Sequence, residues 1–256
     1  MYLKHFGLRE LPFGITPDTG FAYSLRSHQE ALNTLLLALG TGEGFVKISG
    51  EVGTGKTLLC RRLLQALGDE WVTAYLPNPG FGADTLLRAL AEELGVAEPE
   101  RFDSYHLLRE INGALLGFAR AEKPVAVLID EAQAMPVETL EALRLLSNLE
   151  TEKRKLLQIV LFGQPELDEK LNRPEIRQLR QRIAFHYRLH GLGKDEVANY
   201  VAHRLRVAGY LGEGLFSGAA LRALHRASGG TPRLLNILAH KSLMAVYGEG
   251  RQRVRV

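Results

Sequence analysis

Gly50-Glu51-Val52-Gly53-Thr54-Gly55-Lys56-Thr57 constrains this chain more than any other stretch. It follows the apolar run Phe45-Val46-Lys47-Ile48 and precedes Leu58-Leu59, so it reads as a short buried strand, a glycine turn and a helix starting near Lys56. It fits G-x-x-x-x-G-K-[ST] without a mismatch. Gly50, Gly53 and Gly55 admit backbone angles and close approaches that a Cβ would block, so N–H groups between Gly50 and Leu58, including those of Glu51, Val52 and Thr54, can converge on phosphate oxygens. The helix adds its positive end at the same spot. Lys56 brings a mobile point charge for the outer phosphates, and the Thr57 hydroxyl is a hard oxygen ligand for Mg²⁺. The expectation is a nucleoside-triphosphate site taking ATP/ADP with Mg²⁺.

At 256 residues, 46% apolar and 24% charged, the chain can build one large α/β domain, or a core with a small second domain. A formal charge of +3 is too weak to argue for nucleic acid. The single cysteine, Cys60, lies on the helix after the turn, which leaves no disulfide or metal framework and suits a reducing compartment. No uncharged apolar run approaches the roughly 18–20 residues of a membrane span, and Met1 to Glu10 lacks a signal peptide's apolar core. The expected setting is the cytoplasm.

Residues 1–30 scatter Phe6, Phe13, Phe21 and Tyr23 among Pro12, Pro17 and several glycines. The stretch is too irregular for a regular element and too apolar to float free. It either covers an edge of the core or walls the base pocket. His28 to Leu39 reads as an amphipathic helix, then come the first strand, the turn and a helix to about Leu67. Trp71 to Leu76 reads as a strand, Ala83 to Leu94 and Ser104 to Arg120 as helices. Pro124 to Ile129 reads as a fully buried strand ending in Asp130-Glu131. Met135 to Leu149 reads as a helix, and Leu156 to Phe162 as a buried strand ending at Gly163-Gln164-Pro165. Pro174 to Gln181 reads as a short helix, and Ile183 to Leu189 as a strand. From Gly191 the strand runs stop, and Lys194 to Val207, Ser217 to Ala227 and Pro232 to Tyr247 read as helices, the last with Thr231 as cap and Pro232 at its first position. The alternation predicts a doubly wound parallel α/β sheet with a small C-terminal helical domain. The expected divisions are an N-terminal segment and helix over 1–40 packing on the nucleotide site, a nucleotide-binding core over 41–190, and a lid over 191–256.

Asp130 and Glu131 stand at a strand's carboxyl end, where such sheets place their chemistry. They read either as an acidic helix cap or as a working pair, Asp130 for Mg²⁺ and Glu131 for activating water. A second carboxylate beside the metal acid favours hydrolysis over phosphate transfer to a bound acceptor. Gln164 reaches the γ-phosphate region if its strand lies between the turn strand and the Asp130 strand; otherwise it is a turn residue before Pro165. Arg177, Arg180 and Arg182 read as a solvated basic face or as an arginine finger offered to a neighbouring subunit, Arg182 first and Arg180 second. Arg233, after Gly229-Gly230-Thr231-Pro232, is a surface arginine or one placed over the nucleotide. The eight histidines show no metal-ligand spacing.

Together these elements resemble an AAA+ P-loop NTPase. The resemblance implies Gly50–Thr57 as Walker A, Asp130-Glu131 as Walker B, Gln164 as sensor 1 (where asparagine or threonine is more usual), Arg182 as the finger, and Thr231-Pro232-Arg233 as sensor 2 on the lid. It narrows at Met1-Tyr2-Leu3-Lys4-His5-Phe6-Gly7-Leu8, Pro12-Phe13, Thr16-Pro17-Asp18, the turn itself and Gly163-Gln164-Pro165-Glu166-Leu167, which resemble the ExeA (general secretion pathway protein A) family. Gly42-Glu43-Gly44-Phe45 and Thr57-Leu58-Leu59-Cys60-Arg61 are similar in wording to its MshM-like branch, associated with mannose-sensitive haemagglutinin type IV pili. What this implies is a nucleotide-dependent homo-oligomeric ATPase, recruited to the cytoplasmic face of the inner membrane by pilus or secretion assembly proteins. ExeA itself continues through a membrane span into a peptidoglycan-binding domain. These residues carry neither, so envelope contact is expected through another protein. A DNA-binding AAA+ ATPase of the transposition or replication-initiator type shares the core, but no helix-turn-helix or winged-helix extension is recognisable here, and nucleic acid is not the expected partner. A nucleotide switch with negligible turnover is the third reading.

Overall fold

The computed structural model describes residues 2–15, 19–21, 23, 25–80, 82–150 and 155–255. Thr16-Pro17-Asp18, part of the family resemblance, lies outside the described residues. The order is α1 (Tyr2–His5), α2 (Arg26–Gly40), β1 (Phe45–Gly50), α3 (Lys56–Leu67), β2 (Val72–Leu76), α4 (Ala83–Glu93), α5 (Ser104–Arg120) and β3 (Val125–Ile129). It continues with α6 (Val137–Leu146), β4 (Gln158–Gly163), α7 (Pro165–Leu171), α8 (Arg177–Arg182), β5 (Ile183–Leu189), α9 (Lys194–Val207), α10 (Gly218–Ser228) and α11 (Pro232–Gly248). The chain divides into a sheet unit, Glu30–Gly50 with Leu59–Leu189, and a helical unit, Met1–Gln29, Glu51–Leu58 and His190–Val256. The glycine turn and the first 29 residues thus group with the C-terminal helices.

In the sheet unit all five strands run parallel in the order β2-β3-β4-β1-β5. The three inner strands are buried along their whole length, which is why they read as unbroken apolar runs. Edge strand β5 instead alternates half-buried and exposed residues, the signature of a strand covered on one face. One face, with Phe45, Val127, Ile129 and Leu161, packs against α4, α5 and α6 through Leu86, Leu90, Leu107, Ile111 and Leu143. The other, with Val46, Ile48, Leu128 and Phe162, packs against α2 and α3 through Leu35, Leu39, Leu59 and Leu63.

In the helical unit α9, α10 and α11 enclose Val197, Val201, Leu224, Leu235 and Leu243. Tyr2, Phe6, Leu8, Phe13 and Phe21 complete this core, so the irregular N-terminal segment is an integral part of it. That segment does begin with one helical turn, Tyr2–His5, where no regular element is expected.

Other elements differ from expectation as well. The helix expected from Met135 starts at Val137, because Pro136 holds the cap position after a 3₁₀ turn over Ala132–Ala134. Leu156 and Leu157 are buried but precede the ladder, which runs over Gln158–Gly163. The helix expected over Pro174 to Gln181 is a 3₁₀ turn, Pro174–Ile176, followed by α8. Helix α7 was not anticipated, although Pro165 at its first position is the usual proline start. Thr231 does precede α11 with Pro232 at the first position, but its side chain makes no cap bond.

Candidate nucleotide site

In the helical unit, the turn's geometry needs its glycines. Gly53 has φ +81° and Gly55 φ +98°, both costly for a residue with a Cβ. Space forbids a side chain as well. A Cβ on Gly53 would lie 2.5 Å from the Arg233 Cβ, and one on Gly55 would lie 2.6 Å from His28 Nε2. The Arg233 N–H donates to the Gly53 carbonyl at 3.3 Å, so the first turn of α11 is tied to the loop backbone. The Glu51 carbonyl accepts from the Thr54 N–H at 3.2 Å, the Thr54 hydroxyl at 2.8 Å and Lys56 Nζ at 3.0 Å. That closes the loop on itself and draws the buried Lys56 ammonium across it. Lys56 and Thr57 open α3, so the helix's positive end falls at the turn. A loop with two left-handed glycines, an inward lysine and a helix amino end fits a polyphosphate. Glu51 and Val52 are exposed, Thr57 and Leu58 half-buried, and the Arg233 side chain exposed.

In the sheet unit, β4 lies between β1 and β3, the condition set for Gln164. The pairs Ser49↔Gly163 and Ile129↔Leu161 put Gly50, Gln164 and Asp130 at the same, carboxyl edge of the sheet. Asp130 is almost fully buried, and its Oδ1 accepts the Glu131 N–H at 2.9 Å. Glu131 is one of only three non-glycine residues with positive φ among the described residues, at +52°. Such strain persists only where neighbours fix it. Here Gln164 Nε2 donates to Glu131 Oε2 at 2.9 Å, Gln133 Nε2 donates to the same oxygen, and Gln133 Oε1 accepts the Gln164 N–H at 3.0 Å. Gln164 therefore meets Glu131 directly. Gln133 escaped the sequence reading; its only signal was a lone carboxamide in the apolar turn after Asp130-Glu131. His28 escaped as well, since nothing local ties it to a loop so far along the chain.

The arginines part company. Arg182 Nη1 donates to the buried Ser147 Oγ at 2.6 Å and to the Arg144 carbonyl at 3.4 Å, holding it against the end of α6. Arg180 is exposed on α8. Cys60 is buried on α3, and burial together with the Asp130 charge pushes its thiol far up, so it stays protonated and unreactive. Burial first, then the neighbouring Cys60 and Asp130, pushes Tyr75 up to about 12. Among the described residues no group of three histidine, cysteine, aspartate or glutamate side chains is arranged to hold a metal ion. A divalent cation here would thus rely on one or two protein oxygens plus phosphate, as Mg²⁺ commonly does.

A five-stranded parallel sheet in this order, with a glycine phosphate loop on β1 and carboxylates on β3, defines the class: a P-loop ATPase of the AAA type. The chain belongs to the AAA domain family, whose model matches residues 39–171. It is 44% identical over 254 residues to general secretion pathway protein A of Aeromonas hydrophila, covering 99% of this chain and 46% of that protein. The chain thus spans about half the length of the curated relative it matches, and the expected ExeA-family likeness is borne out. Among solved structures it is similar to Cdc6p of Pyrobaculum aerophilum (TM-score 0.68, 20% identity, 93% of this chain and 68% of that one). It is also similar to the ORC2 protein of Aeropyrum pernix in its ADPNP–ADP complexes (TM-score 0.64, 17% identity, 94% and 69%). At such identities these two show the fold.

Proposed function

We propose that this chain binds and hydrolyses ATP, and that its turnover serves assembly of an envelope machine, a type II secretion apparatus or a related MSHA-like type IV pilus. The observation that carries the hydrolytic reading is the strained Glu131, whose carboxylate two carboxamides fix beside Asp130 at the sheet's carboxyl edge. In this reading the Gly50–Leu58 backbone and Lys56 grip the triphosphate. Glu131 takes the proton of the attacking water as the bond from the γ-phosphorus to ADP breaks, and Gln164 keeps that carboxylate aimed. Thr57 and Asp130 would hold Mg²⁺, which supplies neutralisation of phosphate charge. Arg233 on α11 senses the nucleotide from the lid (191–256). Arg180 and Arg182 remain the finger candidates for a neighbouring copy; Arg180 is the better placed, because Arg182 is already engaged by Ser147.

The secretion role rests on the likeness to general secretion pathway protein A of Aeromonas hydrophila, and the pilus role on the two short stretches Gly42–Phe45 and Thr57–Arg61 alone. Among the described residues no helix is long and apolar enough to cross a membrane. A cytoplasmic location with recruitment to the inner membrane by a partner fits that. Glu131→Gln should keep ATP affinity while phosphate release falls by about a hundredfold or more. Unchanged turnover would remove Glu131 from the chemistry, and negligible wild-type turnover in an ATP-dependent oligomer would instead favour a switch.

A further inference from the structure

Helix α7 follows β4 and is fixed on both sides of it. Leu167 and Leu171 are buried in the sheet unit's core, and Leu167 lies so close to the strand end that a Cβ on Gly163 would meet its Cδ2 at 2.5 Å. At about 100° per residue, Asp168 and Lys170 fall on opposite sides of that buried stripe. Asp168 is ion-paired with Lys47 of β1, the strand that leads into the phosphate loop. Lys170 reaches the other way, to the 3₁₀ turn after β3. Its Nζ donates to the Gln133 carbonyl and, at 2.8 Å, to the Met135 carbonyl. Because β4 lies between β3 and β1, one short helix on it can hold both neighbours.

The lysine bonds main chain although Glu166 stands one turn back at the usual ion-pair spacing. Met135 is fully buried, so its carbonyl is out of water and needs a protein donor. An ammonium is a strong one, since charge-assisted bonds are roughly twice as strong as neutral ones. Holding the Gln133 main chain also places its side chain, which is committed at both ends: Nε2 to Glu131 Oε2 and Oε1 to the Gln164 N–H. Gln164 immediately precedes α7. The helix therefore meets Glu131 twice, directly through Gln164 and, from its last turn, through Lys170 and Gln133. The left-handed backbone at Glu131 is the conformation that this bracing maintains.

We infer that Lys170 is a positioning residue for hydrolysis: by holding the turn that carries Gln133, it sets the aim of the Glu131 carboxylate. It acts through Gln133 and not on the nucleotide. This rests on the reading of Glu131 as the group that activates water.

Phosphate release, calorimetric titration with ATP and urea unfolding are compared on variants of the full chain. Lys170→Met keeps an unbranched stem and loses the donor; kcat should fall about tenfold while ATP affinity stays within about twofold of wild type. Lys170→Arg still offers several N–H groups and should recover most of the loss. Lys170→Gln, uncharged and one bond shorter, serves if the methionine variant does not fold. The background separates positioning from a merely structural lysine. In Glu131→Gln protein the carboxylate to be aimed is gone, so adding Lys170→Met should lower the residual single-turnover rate by less than about twofold. Turnover no lower in Glu131→Gln than in wild type would remove the catalytic reading of Glu131, and this inference with it. With that difference present, three results would overturn the positioning role alone. They are wild-type kcat in the Lys170 variants, an equal loss with and without Glu131, and a loss of ATP affinity in place of kcat.

Discussion

The sheet unit satisfies its backbone within a ladder of parallel strands, whereas the helical unit must satisfy an irregular stretch with side chains. In the first, five strands exchange hydrogen bonds in register and apolar residues fill both faces. In the second, residues 6–15 bury Phe6, Leu8 and Phe13 without forming a helix or strand, so their carbonyls need donors from elsewhere. Arg204 of α9 donates Nε to the Pro12 carbonyl at 2.5 Å and Nη2 to Gly14 at 3.4 Å, and Asn236 of α11 adds a bond to Gly14 at 3.1 Å. The guanidinium also sits 4.8 Å from the Phe21 ring centroid. The phosphate loop belongs to this second kind of structure, braced by backbone and side chain contacts with Arg233, Thr231 and His28. Apolar patterning builds both cores; in the helical unit a few placed polar groups also hold the irregular stretch and the loop.

The sharpest way to break that contrast is at the loop's one cation. Lys56→Ala should lower ATP affinity by about a hundredfold or more, since a buried ammonium facing phosphate has no substitute. The sheet unit's denaturation midpoint should not move. Calorimetric titration with ATP checks the first and urea unfolding the second; retained affinity would refute the phosphate-loop assignment.

The same contrast explains what the sequence disclosed. The inner strands were legible because burial on both faces leaves an unbroken apolar run, and β5 because Ile183 to Leu189 alternates. The glycine motif, Asp130 and Glu131 were legible because their spacing is local. The partner of Glu131 was legible only in part: Gln164 stood at a strand end, but Gln133 gave no periodic signal and its bond depends on a left-handed backbone at residue 131. His28 against Gly55 and Arg204 against Pro12 join residues far apart in the chain, and a pattern with a period of two or 3.6 carries nothing about such pairs. The preference for Arg182 as finger likewise could not foresee that Ser147 would hold it.

Arg204→Ala tests the helical unit's dependence on placed donors. It strips the Pro12 carbonyl of its donor, leaves the Gly14 carbonyl to Asn236 alone and removes the cation from Phe21, and should destabilise by about 2–3 kcal/mol in urea unfolding. Arg204→Met restores volume but no hydrogen bonds, so it should recover little of the loss. Full recovery would mean that packing, not the carbonyl bonds, holds the N-terminal segment.

Gly53→Ala comes next in size. At φ +81° and 2.5 Å from the Arg233 Cβ, the added methyl carries strain of about 1–2 kcal/mol and pushes α11 away from the loop. ATP affinity should fall about tenfold, with phosphate release at saturating ATP changed less. An unchanged affinity would show that the loop tolerates release from Arg233.

The smallest effect belongs to the sheet unit, at one of the few places where it too relies on polar side chains. His186 of β5 meets Ser49 Oγ at 2.9 Å, opposite Lys47 in register, and Lys47 is ion-paired with Asp168. Burial first, then the charges of Lys47 and Arg188, hold the imidazole below its ordinary 6.5, while Asp168 opposes them. The unfolded chain therefore takes up a proton at a higher pH than the folded one does. The stability this contributes is complete above about 6.5 and is lost as pH falls through the lower folded value. His186→Asn keeps a polar partner for Ser49 but cannot titrate. Between about pH 7.5 and about pH 5 its urea midpoint should fall less than that of wild type. Because the ring is exposed on an edge strand, solvent screens the effect to a small shift in midpoint, and salt should shrink it further. Parallel pH curves for the two proteins would place the acid sensitivity elsewhere and leave the sheet unit stabilised by its apolar faces alone.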